Sequence, residues 1–265
     1  MNKNLITLAV SAAAVVAASG VNAANVYSSD GTELNIGGRA EFRGDFIGNG
    51  GNEIDGTMAN NSRFRLNLGG TTEITSDLSG FGFYEAEQGV KSDTTNDAET
   101  DFKQRYMFAG LSGSFGAVSF GRQDTAAVQI SQMSDVTTFT GAQKAFINAS
   151  DEQINNTILY TADYESLTLK GSVSLGEAKD TNTSGLSVIY TLPMGLGLGL
   201  GYSAGNNGEN NGSSDAIIGG INYALDSLYL AVTYATGDKD NKATAETDFN
   251  GIELAAKYGF GNGFA

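Results

Sequence analysis

The 265-residue chain has no cysteine, no histidine and a single proline. The lack of cysteine rules out a disulfide framework, and the lack of both residues rules out Cys/His zinc sites. It also removes the Ser-His-Asp and Cys-His nucleophile systems, whose base is missing. Composition alone leaves open a carboxylate-only enzyme or an oxygen-ligand metal site. Basic charge is scarce too. Fifteen Lys and Arg stand against 30 Asp and Glu, a formal net charge of −15, which argues against nucleic acid as a partner. Past Ala18 no long apolar run occurs, so no transmembrane helix is expected there.

What is present begins with an export signal. Lys3 supplies a short positive start, Leu5 to Ala18 is almost wholly apolar, and Val21-Asn22-Ala23 fits the small-residue cleavage pattern. The stretch is too short and wrongly flanked for an anchor, which needs about 20 apolar residues. Residues 1–23 therefore read as a signal peptide and 24–265 as the mature domain. Glycine is abundant at 36 residues, alongside 11 Tyr and 14 Phe and without a collagen repeat, a combination that predicts many tight turns between strands. Disorder is the rival reading of an acidic, glycine-rich chain. Regular alternation defeats it.

From about residue 33, segments of about 10 residues alternate apolar and polar between Gly/Asn/Asp/Ser clusters, as transmembrane β-strands do. Leu228, Leu230, Val232 and Tyr234 share one face, with Tyr229, Ala231, Thr233 and Ala235 on the other. Ile252, Leu254, Ala256 and Tyr258 alternate in the same way with Gly251, Glu253, Ala255 and Lys257. The predicted strands are 33–46, 62–74, 79–90, 102–112, 116–122, 153–163, 166–176, 184–193, 196–204, 214–223, 227–236 and 248–258. Short turns such as Ser76-Asp77, Glu165 and Asp226-Ser227 alternate with longer polar loops at 48–60, 91–100, 177–183, 205–213 and 237–247. The connection 123–152 is much the longest, and structureless loops of that length are usually functional or disordered. A soluble sandwich would alternate as well. Two details favour an all-β, antiparallel transmembrane barrel: the second face is small or charged, as a wet lumen requires, and Tyr160, Tyr190, Tyr202, Tyr234 and Tyr258 sit at segment ends.

Three stretches carry a family likeness. They are the mature start ANVYSSDGTELNIGGRAEF, the segment RFRLNLGGTTEITSDLSGFGFYEAE with its Ser-Asp-Leu turn, and RYMFAGLSGSFGAVSFGRQ ending in a Gly-Arg pair. Together they resemble the Gram-negative general porins over the first half of the chain; from about 165 to 265 the likeness rests on strand pattern and spacing. The resemblance implies an outer-membrane barrel of sixteen strands with its third loop folded into the channel. It implies a homotrimer, exported through the periplasm and set among outer-membrane lipid and lipopolysaccharide. Small hydrophilic solutes and ions would diffuse through it, and no cofactor is implied. About twelve strands plus a beginning thirteenth at Phe260 fall short of sixteen, and the chain stops at Gly263-Phe264-Ala265 without a closing strand, so a C-terminally truncated porin is expected.

The same resemblance assigns the site. The family's basic wall falls on Arg39, Arg65 and Arg105, and periodicity agrees: Arg39 shares its face with Asn35, Glu41 and Arg43, Arg65 lies between outward Phe64 and Leu66, and Arg105 precedes Tyr106 and Phe108, read as outward. A fourth basic position falls on the neutral Gln153. Asp135 matches the constriction acid, Glu85 a lumen-facing wall glutamate, and Phe139 and Gly141 the aromatic-Gly bend of the constriction loop, whose second acid is replaced by Thr138. Arg122 resembles a residue that latches onto a neighbouring subunit, with Asp93, Asp97 or Glu99 of another chain as counter-charge. Opposed charges across a narrow, low-dielectric passage orient polar solutes. A weak preference for cations follows from the net charge and from Gln153.

Other patterns are weak. Asp238-Lys239-Asp240 lacks the Gly and the closing Glu of a calcium loop. Glu85 and Glu87 form a carboxylate pair on one strand face, which lumen polarity explains without glycosidase chemistry. The competing functions are a secreted soluble β-sandwich adhesin, carbohydrate-binding protein or carboxylate hydrolase, and an oligosaccharide-preferring porin with Phe81, Phe83 and Phe139 as its aromatic track.

Overall fold

A computed structural model describes residues 23–46, 58–90, 96–137, 140–239 and 247–261. The signal-peptide assignment falls, apart from Ala23, outside these residues. The chain divides into two compact units, Met1–Ser114 and Phe115–Ala265. Among the described residues it forms fifteen strands, a four-residue helix and two short 3-10 turns.

The first unit holds β1 (Ala24–Ser29), β2 (Thr32–Glu41), β3 (Gly44–Asp45), β4 (Ala59–Asn60), β5 (Arg63–Thr75), β6 (Leu78–Gly89) and β7 (Lys103–Gly113). Strands β1, β2, β5, β6 and β7 pair antiparallel in that order, while β3 and β4 form a separate small ladder. The β1–β2 turn is Asp30-Gly31, both at positive φ (+50° and +72°), the mirror-image hairpin turn whose twist suits the flanking strands. The second unit holds β8 (Gly116–Gln123), β9 (Ile154–Tyr164), β10 (Leu167–Ser174), β11 (Thr183–Thr191), β12 (Leu196–Asn206), β13 (Ser213–Leu225), β14 (Leu228–Lys239) and β15 (Thr247–Tyr258). Each pairs antiparallel with the next. Between β8 and β9 lie helix α1 (Val128–Ser131) and 3-10 turns at Ala142–Lys144 and Asn148–Ser150.

The twelve strands expected from alternation correspond to β2 and β5–β15. Three further strands correct that count upward. β1 carries a register shift between Asn25 and Tyr27, which breaks the period of two on which the expectation rested. β2 ends at Glu41 rather than 46, because the chain leaves the ladder and Gly44–Asp45 pairs with Ala59–Asn60. Of the thirteenth strand expected to begin at Phe260, Gly259 and Phe260 lie outside any strand, and residues 262–265 lie outside the described residues.

Burial is inverted relative to a water-soluble protein. Leu186, Leu200, Ile252 and Leu254 are exposed, Leu254 to 70%, while Ser172, Ser187, Ser203 and Thr233 are buried, Thr233 completely. In water each large aliphatic left exposed forgoes about 1.5–3 kcal/mol of burial. Hydrocarbon removes that penalty, and closed antiparallel ladders satisfy the backbone there. Exposed tyrosines accompany this band, among them Tyr160, whose hydroxyl donates to the Phe115 carbonyl at 2.7 Å.

Candidate functional site

In the first unit the period of two collects charge on one face. Register places Arg39 opposite Arg65 and Arg65 opposite Glu87, with Glu41 opposite Arg63 and Asn67 opposite Glu85. Between β6 and β7 the register shifts, Tyr106 pairing with Glu85 and Gln104 with Ala86, so Arg105 is the extra residue of a β-bulge. The bulge corrects one expectation. Tyr106 and Phe108 do not face outward; they lie on the Phe83 side, with ring centroids 6.2 and 5.6 Å from Phe83, while Met107 and Leu111 are the exposed residues. A single inserted residue moves every following side chain to the opposite face.

The bulge also brings Arg105 to Glu85. Its Nε donates to Glu85 Oε1 at 2.7 Å, and its guanidinium lies 5.7 Å from the Tyr106 ring centroid. Glu85, 3% exposed, lies 3.9 Å from Arg65 Nη1 as well. Arg65 Nε donates to Glu87, which Arg63 Nη1 approaches to 3.4 Å. Glu41 is shared by three guanidiniums: Arg63 Nε at 2.8 Å, Arg39 Nη2 at 3.5 Å, and Arg43, which donates to its other oxygen. Arg39, at 45%, is the most open of the expected basic residues. Arg39, Arg65, Arg105 and Glu85 thus meet on one sheet. Arg63, Glu41, Glu87 and Arg43 join them, and for Arg63 the signal was its i, i+2 spacing from Arg65.

The second unit uses small residues where the first uses charge. The polar faces of β10–β15 receive the 124–153 connection. Ala126 N–H donates to Ser172 Oγ at 2.9 Å, Ser187 Oγ donates to the Ala126 carbonyl, and Gln129 Nε2 donates to Ser187 Oγ at 2.7 Å. Tyr229 OH donates to the Met133 carbonyl at 2.7 Å. Ile130 and Met133 lie over Gly199 and Gly220; a β-carbon on Gly220 would stand 2.5 Å from the Met133 sulfur. Glycine is required there because α1 approaches the sheet backbone so closely.

Glu253 on β15 holds the far half of the loop. It accepts the Gly141 N–H at 3.0 and 2.9 Å, the Ala142 N–H at 3.1 Å and the Ser134 hydroxyl at 2.6 Å. Phe146 stacks on Phe249 with centroids 4.4 Å apart and an interplanar angle of 10°. Gly141 is left-handed (φ +102°), and a β-carbon there would come within 2.4 Å of the Asp135 carboxyl carbon, so both backbone and space demand glycine. Asp135 itself is paired: Lys144 Nζ lies 2.6 Å from Asp135 Oδ2 and 2.7 Å from Glu152 Oε1. Burial works against the Lys144 charge, but hydrogen bonds and charge from Asp135 and Glu152 outweigh it and hold the amine above the ordinary lysine value. Burial, with the neighbouring Glu152 charge, pushes the Asp151 carboxyl up. Thr138 and Phe139 lie outside the described residues. Arg122 Nη1 donates to Asn155 Oδ1 at 2.9 Å, and Gln153 N–H donates to Asp124 Oδ1 at 3.2 Å.

The family model for Gram-negative porins matches residues 9–265. The chain belongs to this family. Outer membrane protein U of Vibrio vulnificus (strain CMCP6) is 35% identical over 274 residues, covering 97% of this chain and 75% of the relative. The solved structure of Salmonella typhi OmpF in complex with daunomycin superposes with a TM-score of 0.75 at 18% identity, covering 89% of this chain and 77% of that one. OmpT of Vibrio cholerae in its trimer form gives 0.52 at 16%, covering 87% and 85%. The fold is all-β and antiparallel and resembles these barrels. Membership decides against two of the readings left open by the sequence: this porin is a diffusion channel of the Gram-negative outer membrane for small solutes and ions, not an enzyme and not a soluble β-sandwich.

Proposed function

We propose that the porin is a general, weakly cation-preferring diffusion pore: residues 1–23 removed on export, residues 24–265 part of a closed barrel of sixteen strands, and three copies assembled as a homotrimer among outer-membrane lipid and lipopolysaccharide. The connection 123–152 is its constriction loop. Arg39, Arg65, Arg105 and Glu85 line the lumen on the wall. Asp135 does so on the loop, with Phe139 and Gly141 forming the bend and Arg122 the subunit latch.

The observation that carries the reading is the loop itself. It is bonded at both halves to the polar face of a sheet whose opposite face exposes aliphatic side chains. A fixed loop on the wet side narrows a passage without closing it. The basic residues mostly have carboxylate partners, and Gln153 adds no charge, so strong anion preference is not expected. Planar-bilayer recording of protein purified in detergent tests the reading. Stepwise conductance arriving in threes, ohmic and permeable to small sugars, is the expected result. Protein that stays soluble without detergent and leaves the bilayer silent would contradict it.

A further inference from the structure

The wall of the first unit carries five arginines, yet its geometry is governed by its carboxylates. Five guanidiniums, those of Arg39, Arg43, Arg63, Arg65 and Arg105, meet three carboxylates, Glu41, Glu85 and Glu87, leaving a formal +2. The charges form a ladder across β2, β5, β6 and β7 rather than a basic arc. Glu85 is nearly buried, at the closed end of that ladder. Glu41 and Glu87 are its two bridging rungs, about a fifth exposed: Glu41 joins Arg39, Arg43 and Arg63, and Glu87 joins Arg63 to Arg65. Arg63 contacts both rungs and makes the ladder continuous.

We infer that Glu41 and Glu87 are specificity-determining residues of the channel: they cancel the arginine charge at the wall and so keep the pore from selecting anions. Two effects follow from their positions. Each contributes a negative charge among the arginines, which lowers the local potential felt by a passing ion. Each also draws guanidiniums along the sheet, so that Arg39, at 45%, is the most open of the five. The inference rests on the reading that this face lines the lumen.

Reversal potentials in a KCl gradient, with Glu41→Gln, Glu87→Gln, the double variant and Arg65→Gln beside the unsubstituted porin, test it. A unit charge about 6 Å from the ion path in a watery pore changes local ion concentration about threefold. Each glutamine is therefore expected to lower the local cation and raise the local anion concentration about threefold each, moving the cation-to-anion permeability ratio about tenfold toward chloride at low salt, and the double variant further. Glu87→Asp, which keeps the charge, should stay near the unsubstituted ratio. Arg63→Gln should move it the other way, and this reads the ladder even where a glutamate variant fails to assemble. If Arg65→Gln shifts the ratio while Glu41, Glu87 and Arg63 variants do not, the inference falls. If none of them shifts it, the face does not line the lumen and the reading beneath it falls.

Discussion

On β2, β5, β6 and β7 the polar face carries long charged side chains that bond to one another, whereas on β10–β15 it is mostly Ser, Thr and Gly that receive a loop, with Tyr229 and Glu253 among its anchors. The apolar faces of both groups of strands carry the same kind of exposed aliphatic and aromatic residue. Long paired side chains project into space and fill it themselves. Short ones leave room for a second layer of chain. On the proposed reading, the first solution places fixed charge near passing solute; the second places backbone there and leaves its position to a handful of anchors.

The sharpest way to break the contrast is to remove the main anchor. Glu253→Ala takes away the carboxylate that receives Gly141, Ala142 and Ser134, and charge-assisted bonds of this kind are worth about 1.5–3 kcal/mol. Amide hydrogen exchange at Gly141 and Ala142 should accelerate at least tenfold, and β2, β5, β6 and β7 should be unaffected. Crowding the floor of the loop comes next. Gly220→Val forces the Met133 sulfur and Ile130 aside, and overpacking costs about 1–3 kcal/mol. The adjacent Gly219 has open space on the opposite face, so Gly219→Ala should leave loop exchange unchanged. Phe146→Ala removes the stack on Phe249, a loss of about 1 kcal/mol that limited proteolysis of the loop should register.

The smallest effect concerns pH. The Lys144 amine is held above its ordinary value, so the stability it contributes is present below about pH 10.4 and is lost as pH rises through the higher folded value. Loop protection should therefore persist through neutral pH and fall only in strong alkali. With Lys144→Met that alkaline step should vanish, as read by exchange or proteolysis across pH.

Much of this molecule is legible in its sequence. Alternation finds β2 and β5–β15 because one face must meet lipid and the other water, which makes the period of two strict. The same rule groups Arg39, Arg65 and Glu85 on one face. It misses β1, where a register shift interrupts the pattern, and it misplaces Tyr106 and Phe108, which the bulge at Arg105 turns over. Glu253 was recognisable as facing the polar side, but its partners are backbone amides 111 and 112 residues earlier, which no local pattern connects to it. The Lys144 clasp on Asp135 and Glu152 is hidden for a similar reason: it depends on the loop's path, set by Gly141 and by packing on glycines of β12 and β13.

The central claim is that the charges of this channel largely compensate one another on the wall and on the loop. The most direct test is the reversal potential of the unsubstituted porin across a tenfold KCl gradient. The account predicts a small potential on the cation side, far from the potassium limit. A potential close to the chloride limit would contradict it, because it would require the wall arginines to act as free charges.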